Sequence, residues 1–281
     1  MEHFSITDFI KRAFEEDSGD GDHTSLACIP FEATGKANLI VKEEGILAGM
    51  ELAEQIFFYA DQNIQFIPYI KDGSIIKPGD IAFLVIGKTQ AILKAERIAL
   101  NCLQRMSGIA TQTRNIVNKL EGLNTRVLDT RKTTPGMRYF EKLSVKAGGG
   151  ENHRFGLYDM IMIKDNHIDY AGGIKQAIDL THNYLKRTGK NLKIEIETRN
   201  LNELQQVLNQ GGIDRIMLDN FSPLDLKKAI AMINKEYETE ASGGITEETI
   251  RDYALSGVDY ISIGALTHHI KSLDLSLKAI K

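Results

Sequence analysis

From residue 125 to residue 263 the chain repeats one unit: a short strand, a polar loop, then a helix. TRVLD (125–129), Met160–Ile163, NLKIEIE (191–197), DRIML (214–218), YETEA (237–241) and DYISI (259–263) read as strands, most of them rich in Ile, Leu and Val. Helical patterns fill 172–187, 200–209, 223–234 and 246–256. Pro223 suits a first helical turn, and Thr246 stands as a cap before Glu247 and Glu248. Strands that alternate with helices, at a spacing of roughly 22 residues in the later part, pair in parallel because each helix returns the chain to the edge it left. Six strands are counted, and the expected fold is α/β with a parallel sheet of the β/α barrel kind.

The residues before 125 do not follow this rhythm. Residues 4–16 read as a helix, DSGDGDHTS (17–25) as a loop, Ala37–Val41 as a strand and 48–60 as a helix. IQFIPYI and DIAFLVIG are further strands, separated by the turn residues of KDGSIIKPG. A long helical stretch from Thr89 to Lys119 follows, with Gly108 read as a break or kink. The tail 272–281 alternates like a strand. The expected division is therefore an α/β domain over 1–106, to which 270–281 returns, and a barrel over 107–269.

The bulk composition excludes several function classes. With a net charge of −4 and a pI of 6.0, a broad nucleic-acid surface is not expected. The two cysteines, Cys28 and Cys102, give neither a zinc-ligand spacing nor a disulfide framework. No apolar span is long enough for a membrane, and the acid-rich start lacks a signal region, so a cytoplasmic location is expected.

Chemistry collects at the strand ends. DTRKTTPGMR brings Asp129, Arg131, Lys132 and Arg138. Arginine offers a rigid fork and lysine a mobile point charge for carboxylate or phosphate, although a solvated loop reads equally well from this cluster alone. KAGGGENHRFG places His153 and Arg154 after three glycines, read as backbone passing close to a ligand. IMIKDNHI delivers Lys164, Asp165, Asn166 and His167, and Lys164 suits either a Schiff base or an anion clamp. Glu195 and Glu197 share one strand face, with Glu197 nearer the mouth, and Asp219 and Asn220 end the next strand. A carboxylate from each of two neighbouring strand ends suits vicinal ribose hydroxyls or a divalent ion. Ser242, Gly243 and Gly264 lie in glycine loops after the last two strands, where barrels commonly bind phosphate. Cations early, acids in the middle and glycine loops last suit a sugar phosphate with a second anionic partner.

In order along the chain, GDHTS, ERIALN, QRMSGIAT, DTRKTTPG, GGGENHR, IMIKDNH, EASGGI, SIGALTH and LDLSLK resemble the motifs of the quinolinate phosphoribosyltransferases, a type II phosphoribosyltransferase family. The resemblance covers nearly the whole length. It implies an incomplete, seven-stranded β/α barrel with an N-terminal α/β sandwich domain. The implied reaction joins quinolinate and 5-phosphoribosyl 1-pyrophosphate into nicotinate mononucleotide, releasing pyrophosphate and CO2, in de novo NAD synthesis. Mg2+ is the implied cofactor. A homodimer or hexamer is implied, with each active site shared between subunits.

Residue by residue, the resemblance assigns Arg131, Lys132, His153, Arg154 and Lys164 to the pocket for the two quinolinate carboxylates and nearby phosphate. Arg97, in ERIALN, resembles the arginine supplied by a partner subunit, and Arg138 a further basic group near the mouth. Glu197 and Asp219 resemble the acids that hold the ribose hydroxyls and the metal. Ser242, Gly243 and Gly264 resemble the 5′-phosphate loops, with His268 nearby. Lys132, Lys164, Glu197 and Asp219 are the implied catalytic set, Lys164 acting by binding and not as a covalent nucleophile. Lys146 stands where relatives often carry Arg, and His269 where Ser is common. Rival readings are a paralogue acting on nicotinate or another anionic ring, an aldolase-type barrel using Lys164, and a non-catalytic scaffold.

Overall fold

The computed structural model describes residues 4–280; Met1–His3, at the acid-rich start, and Lys281, at the end of the tail, lie outside the described residues. In chain order the elements are α1 (Ile6–Ser18), α2 (His23–Cys28), β1 (Thr34–Val41), β2 (Gly45–Ile46), α3 (Met50–Ala60), β3 (Gln65–Pro68), β4 (Ile75–Ile76), β5 (Ile81–Lys88) and α4 (Thr89–Lys119). Then come β6 (Arg126–Leu128), α5 (Arg138–Gly148), β7 (Ile161–Ile163), α6 (Asp165–Ala171), α7 (Ile174–Thr188), β8 (Ile194–Thr198), α8 (Leu201–Gln210), β9 (Arg215–Asp219) and α9 (Pro223–Ile233). The chain ends with β10 (Glu238–Ser242), α10 (Ile250–Ala254), β11 (Tyr260–Ser262), α11 (Ala265–His268) and β12 (Leu275–Ile280).

The chain divides into two compact units. The first runs from the first described residue to Arg114, with Thr133–Gly149 and the residues from Leu266 on; the second is Asn115–Lys132 with Gly150–Ala265. The first unit extends past 106/107 because α4 runs through that point as one helix, and it also takes in 133–149.

The first unit is built on an antiparallel sheet in the order β12-β1-β5-β3. Alternation along β1 turns Ala37, Leu39 and Val41 inward, and Leu39 pairs with Leu277 on one side and Phe83 on the other. Phe57, Phe83, Ile56 and Leu103 are fully buried in this core. Burial of each such side chain stabilises by about 1.5–3 kcal/mol. Helix α2 begins inside the segment expected to be loop, because the Asp22 carboxylate accepts from Ser25 N at 3.0 Å and caps it. Gly108 does not break α4. A Cβ there would lie 2.2 Å from the Lys271 carbonyl oxygen, so the glycine admits the passing chain.

The second unit holds a parallel sheet of six strands in the order β6-β11-β10-β9-β8-β7. The resemblance implied seven. Among the described residues the seventh position is reduced to one parallel bridge, Leu128 to Glu151, held by Glu151 N to Val127 O at 2.8 Å and Asp129 N to Glu151 O at 3.1 Å. Beyond it the Asp129 carboxylate takes the His153 N–H at 2.9 Å, in place of a continued ladder. One sheet face is aliphatic, with Val127, Ile163, Ile194, Ile196, Ile216, Leu218 and Ile261 buried. The other is polar. Tyr260 lies between two guanidiniums, with Arg126 Cζ 4.3 Å and Arg215 Cζ 4.2 Å from its ring centre.

Helix caps follow local sequence. Asn200 accepts from Glu203 N at 3.0 Å, and Ser222 accepts from Asp225 N at 3.1 Å with Pro223 in the first turn. Thr246 does not cap α10, which starts at Ile250 after a turn in which Thr246 N donates to Thr249 Oγ1. Among the described residues no helix is long and apolar enough to cross a membrane.

Candidate active site

Because all six strands run in parallel, their C-terminal ends share one edge of the second unit. Asp129, Arg131 and Lys132 leave this edge after β6, Lys164 after β7, Glu197 near the end of β8, Asp219 at the end of β9, Ser242 at the end of β10 and Gly264 after β11. The structure thus brings most of the expected residues to one rim.

Arg131 and Arg154 repel each other. Burial lowers the Arg154 pKa, and the positive charge of Arg131 lowers it further. Two neighbouring guanidiniums of this kind can receive a multiply charged anion. Lys164 Nζ donates to Glu197 Oε2 at 2.8 Å, with the lysine half-exposed and the glutamate buried. The other polar residues after β7 serve the backbone. His167 Nδ1 accepts from Lys164 N at 2.9 Å and Asp165 Oδ1 from Asn166 N at 2.6 Å, which forms the first turn of α6.

Asp219 is gripped from both sides. Its Oδ1 accepts from Ser242 Oγ at 2.5 Å and its Oδ2 from Asn220 Nδ2 at 2.6 Å. Asn220 sits at φ 56° and Gly243 at φ 92°. A Cβ on Gly243 would lie 2.2 Å from Asn220 Oδ1, so glycine is required both by conformation and by space.

His153 lies deeper than its motif suggests. Its side chain is only 4% exposed, and Nε2 lies 3.0 Å from Glu195 Oε2 and 3.2 Å from Glu240 Oε2. Burial disfavours the imidazolium, but the hydrogen bonds and charges of Glu195 and Glu240 prevail and push the His153 pKa up to about 9. Nδ1 accepts the Arg154 N–H at 2.6 Å, a local bond that a second ring proton has to displace; two buried carboxylates outweigh it. Burial, then the neighbouring Glu240, pushes the Glu195 carboxyl up to about 7. Glu240 is also opposed by burial, yet His153, Ser262 and Arg215 hold it below the usual carboxylate range. The three residues offer ligand atoms within 4.8 Å of one another, a spacing that could hold a divalent ion. The Arg215 guanidinium, 3.3 Å from Glu240 Oε2, already offsets part of the negative charge such an ion would meet.

Two of the three glycines serve the end of α5. Gly148 ends α5 where a Cβ would meet Thr113 Cβ and the Ala110 carbonyl oxygen at 2.5 Å, and Gly149 is the left-handed C-cap at φ 97°. Three expected residues belong to the first unit. Arg97 is exposed on α4. Arg138 opens α5, and its Nε donates to Thr133 Oγ1 at 2.9 Å. His268 ends α11 beside His269, their rings 4.4 Å apart. Sequence reasoning missed Arg215 and Glu240, although strand alternation puts Glu240 on the face of Ser242 and Arg215 on the face of Asp219.

Two family models match the chain. The quinolinate phosphoribosyl transferase N-terminal domain matches residues 22–107 and the C-terminal domain residues 109–278. The chain is 44% identical to the chloroplastic nicotinate-nucleotide pyrophosphorylase [carboxylating] of Arabidopsis thaliana, over 98% of this chain and 83% of the relative. It is 42% identical to the probable nicotinate-nucleotide pyrophosphorylase [carboxylating] of Bacillus subtilis, over 99% and 94%. The crystal structure of NadC from Streptococcus pyogenes superposes with a TM-score of 0.92 at 38% identity, covering 98% of this chain and 97% of that one.

Proposed function

The chain belongs to the quinolinate phosphoribosyltransferase family, and on that premise we propose that it converts quinolinate and 5-phosphoribosyl 1-pyrophosphate into nicotinate mononucleotide, pyrophosphate and CO2. The observation that carries this reading is the gathering of cations at the strand-end rim, with Arg131 near enough to Arg154 to lower its pKa and Lys164 paired with Glu197. Such a group of cations suits a ring with two carboxylates better than a ring with one.

The residues divide the work by charge. Arg131, Lys132, Arg154 and Lys164 bind the ring carboxylates and orient the pyridine nitrogen toward C1 of the ribose. His153 stands behind them, held by Glu195 and Glu240. The nitrogen lone pair forms the bond to C1 as the bond to pyrophosphate breaks. Glu197 and Asp219 hold the ribose hydroxyls and offset the positive charge that grows on the sugar. The C2 carboxylate then leaves as CO2. Its bonding electrons are stabilised by the now cationic ring nitrogen, and a proton takes its place at C2. No covalent bond to Lys164 is needed.

Glu197 and Asp219 also fit magnesium, since both offer hard carboxylate oxygens on neighbouring strands, whereas the His153 group includes a nitrogen and an adjacent guanidinium. Magnesium would supply charge neutralisation on the departing pyrophosphate. Arg97, exposed on α4, suits a role in the site of a partner subunit within a homo-oligomer.

The test is incubation with quinolinate, phosphoribosyl pyrophosphate and magnesium, with nicotinate mononucleotide and CO2 as readouts. A parallel reaction with nicotinate in place of quinolinate is the discriminating arm. Turnover of nicotinate alone would overturn the dicarboxylate reading.

A further inference from the structure

In the first unit, one ion pair grips the chain at two places next to residues assigned to the site. Arg105 lies on α4 and Glu141 on α5. Arg105 Nε and Nη2 both donate to Glu141 Oε1, at 2.9 and 2.7 Å. The second glutamate oxygen accepts from Thr134 N at 3.2 Å. The same Nη2 donates to Thr134 Oγ1 at 2.7 Å and to the Thr267 carbonyl oxygen at 3.1 Å. Glu141 is wholly buried and Arg105 is 28% exposed.

Thr134 follows Arg131 and Lys132 by three and two residues, and Thr267 directly precedes His268. The loop between Lys132 and α5 contains Pro135 and Gly136, and Arg138 Nε donates to Thr133 Oγ1 as a further tether. A generic surface pair does not account for this arrangement. The carboxylate is fully desolvated, both its oxygens are used, and the guanidinium spends its donors on two loop segments. A lysine has the charge but not the fork.

We propose that Arg105 and Glu141 are positioning residues, whose ion pair fixes the loop that follows Arg131 and Lys132 together with the segment before His268. The proposal rests on the family reading for what those loops bind. It needs no contact between Arg105 and substrate. Thr134 receives two bonds from the pair and Thr267 one, so the ring-binding loop depends on it more than the phosphate side does.

The test compares the full-length parent with Arg105→Lys and Arg105→Met. Thermal unfolding verifies folding, hydrogen–deuterium exchange of peptides covering 133–137 and 265–269 reads the clamp, and steady-state kinetics reads the consequence. In Arg105→Lys the expected results are a melting temperature near that of the parent, faster exchange confined to those peptides, and a roughly tenfold higher KM for quinolinate. The KM for phosphoribosyl pyrophosphate should move less. Arg105→Met should show the same pattern more strongly, with lysine giving partial rescue. A parent that turns over neither ring substrate refutes the proposed function, while exchange still reads the clamp. Unchanged exchange in both variants overturns the clamp whatever the parent does. Loosened peptides with unchanged KM and kcat overturn its positioning role.

Discussion

Lys164 and Glu197, at the ends of adjacent parallel strands, meet through one 2.8 Å hydrogen bond, so a cation and an acid of the proposed site share a contact. Replacing Lys164 by Met removes a cation from the rim and frees the buried Glu197. We expect turnover to fall by about 100-fold or more, as for other preorganised electrostatic groups. Because the lysine is half-exposed, stability should change by no more than about 1 kcal/mol. Borohydride with either substrate should leave no adduct on Lys164, read by peptide mass; a stable adduct would mean covalent catalysis.

The buried His153 group gives stability a pH dependence. The His153 pKa is raised to about 9 from the ordinary histidine value of 6.5. Its stabilisation is therefore fully present below pH 6.5 and is lost as pH rises through 9. Glu195 and Glu240 face it, and Arg215 in turn pairs with Glu240. His153→Gln should cost on the order of 2 kcal/mol at pH 6.5, with the gap closing by pH 9.5. Urea unfolding of both proteins at the two pH values measures this. A gap independent of pH would mean that the folded ring is neutral.

What the sequence made legible was the rim. Strand alternation alone put Glu197 with Glu195, and Asp219 and Ser242 were each placed at a strand end; the structure joins these two by a 2.5 Å hydrogen bond. It failed where a residue's purpose lies in a distant segment. Gly148 and Gly108 look like loop or hinge glycines until the chain that packs on them is seen. Helix α5 went unassigned because Pro135-Gly136 masks its start and Glu141 and Lys142, both buried, break the apolar stripe that marks an amphipathic helix. Among the described residues the seventh strand is reduced to a single bridge for a similar reason. Asp129 is a strand-end acid in the sequence, but its carboxylate is spent on the His153 backbone.

The Asn220–Gly243 contact predicts a localised defect. Gly243→Ala places a Cβ against Asn220 at a φ of 92°, which should cost about 1–3 kcal/mol. Asn220 also holds Asp219, so the KM for phosphoribosyl pyrophosphate should rise more than that for quinolinate. Equal changes in both would show that the loop is not specific to the sugar phosphate.

The two cysteines should differ in reactivity. Cys28 is exposed, whereas Cys102 is buried and its thiol is pushed up to about 12 by burial. Iodoacetamide at pH 8 should add one group to the native chain, at Cys28, and two after denaturation. Intact-mass analysis reads this directly, and two adducts on the native protein would show that the core around α4 opens.

Arg97 supplies the test of a shared site. It is exposed on α4, while the neighbouring Ile98, Ala99 and Leu100 are buried. An arginine presented outward from a helix otherwise packed into its own core is suited to reach a second subunit. Arg97→Ala and Arg131→Ala should each be nearly inactive alone. If the assembly is a dimer and sites are shared, random mixing of equal amounts restores about a quarter of parental activity, because half of the dimers are mixed and each contains one intact site. The mixed species is purified with two different affinity tags before assay. No recovery in that species would place Arg97 in the site of its own chain or outside the site altogether.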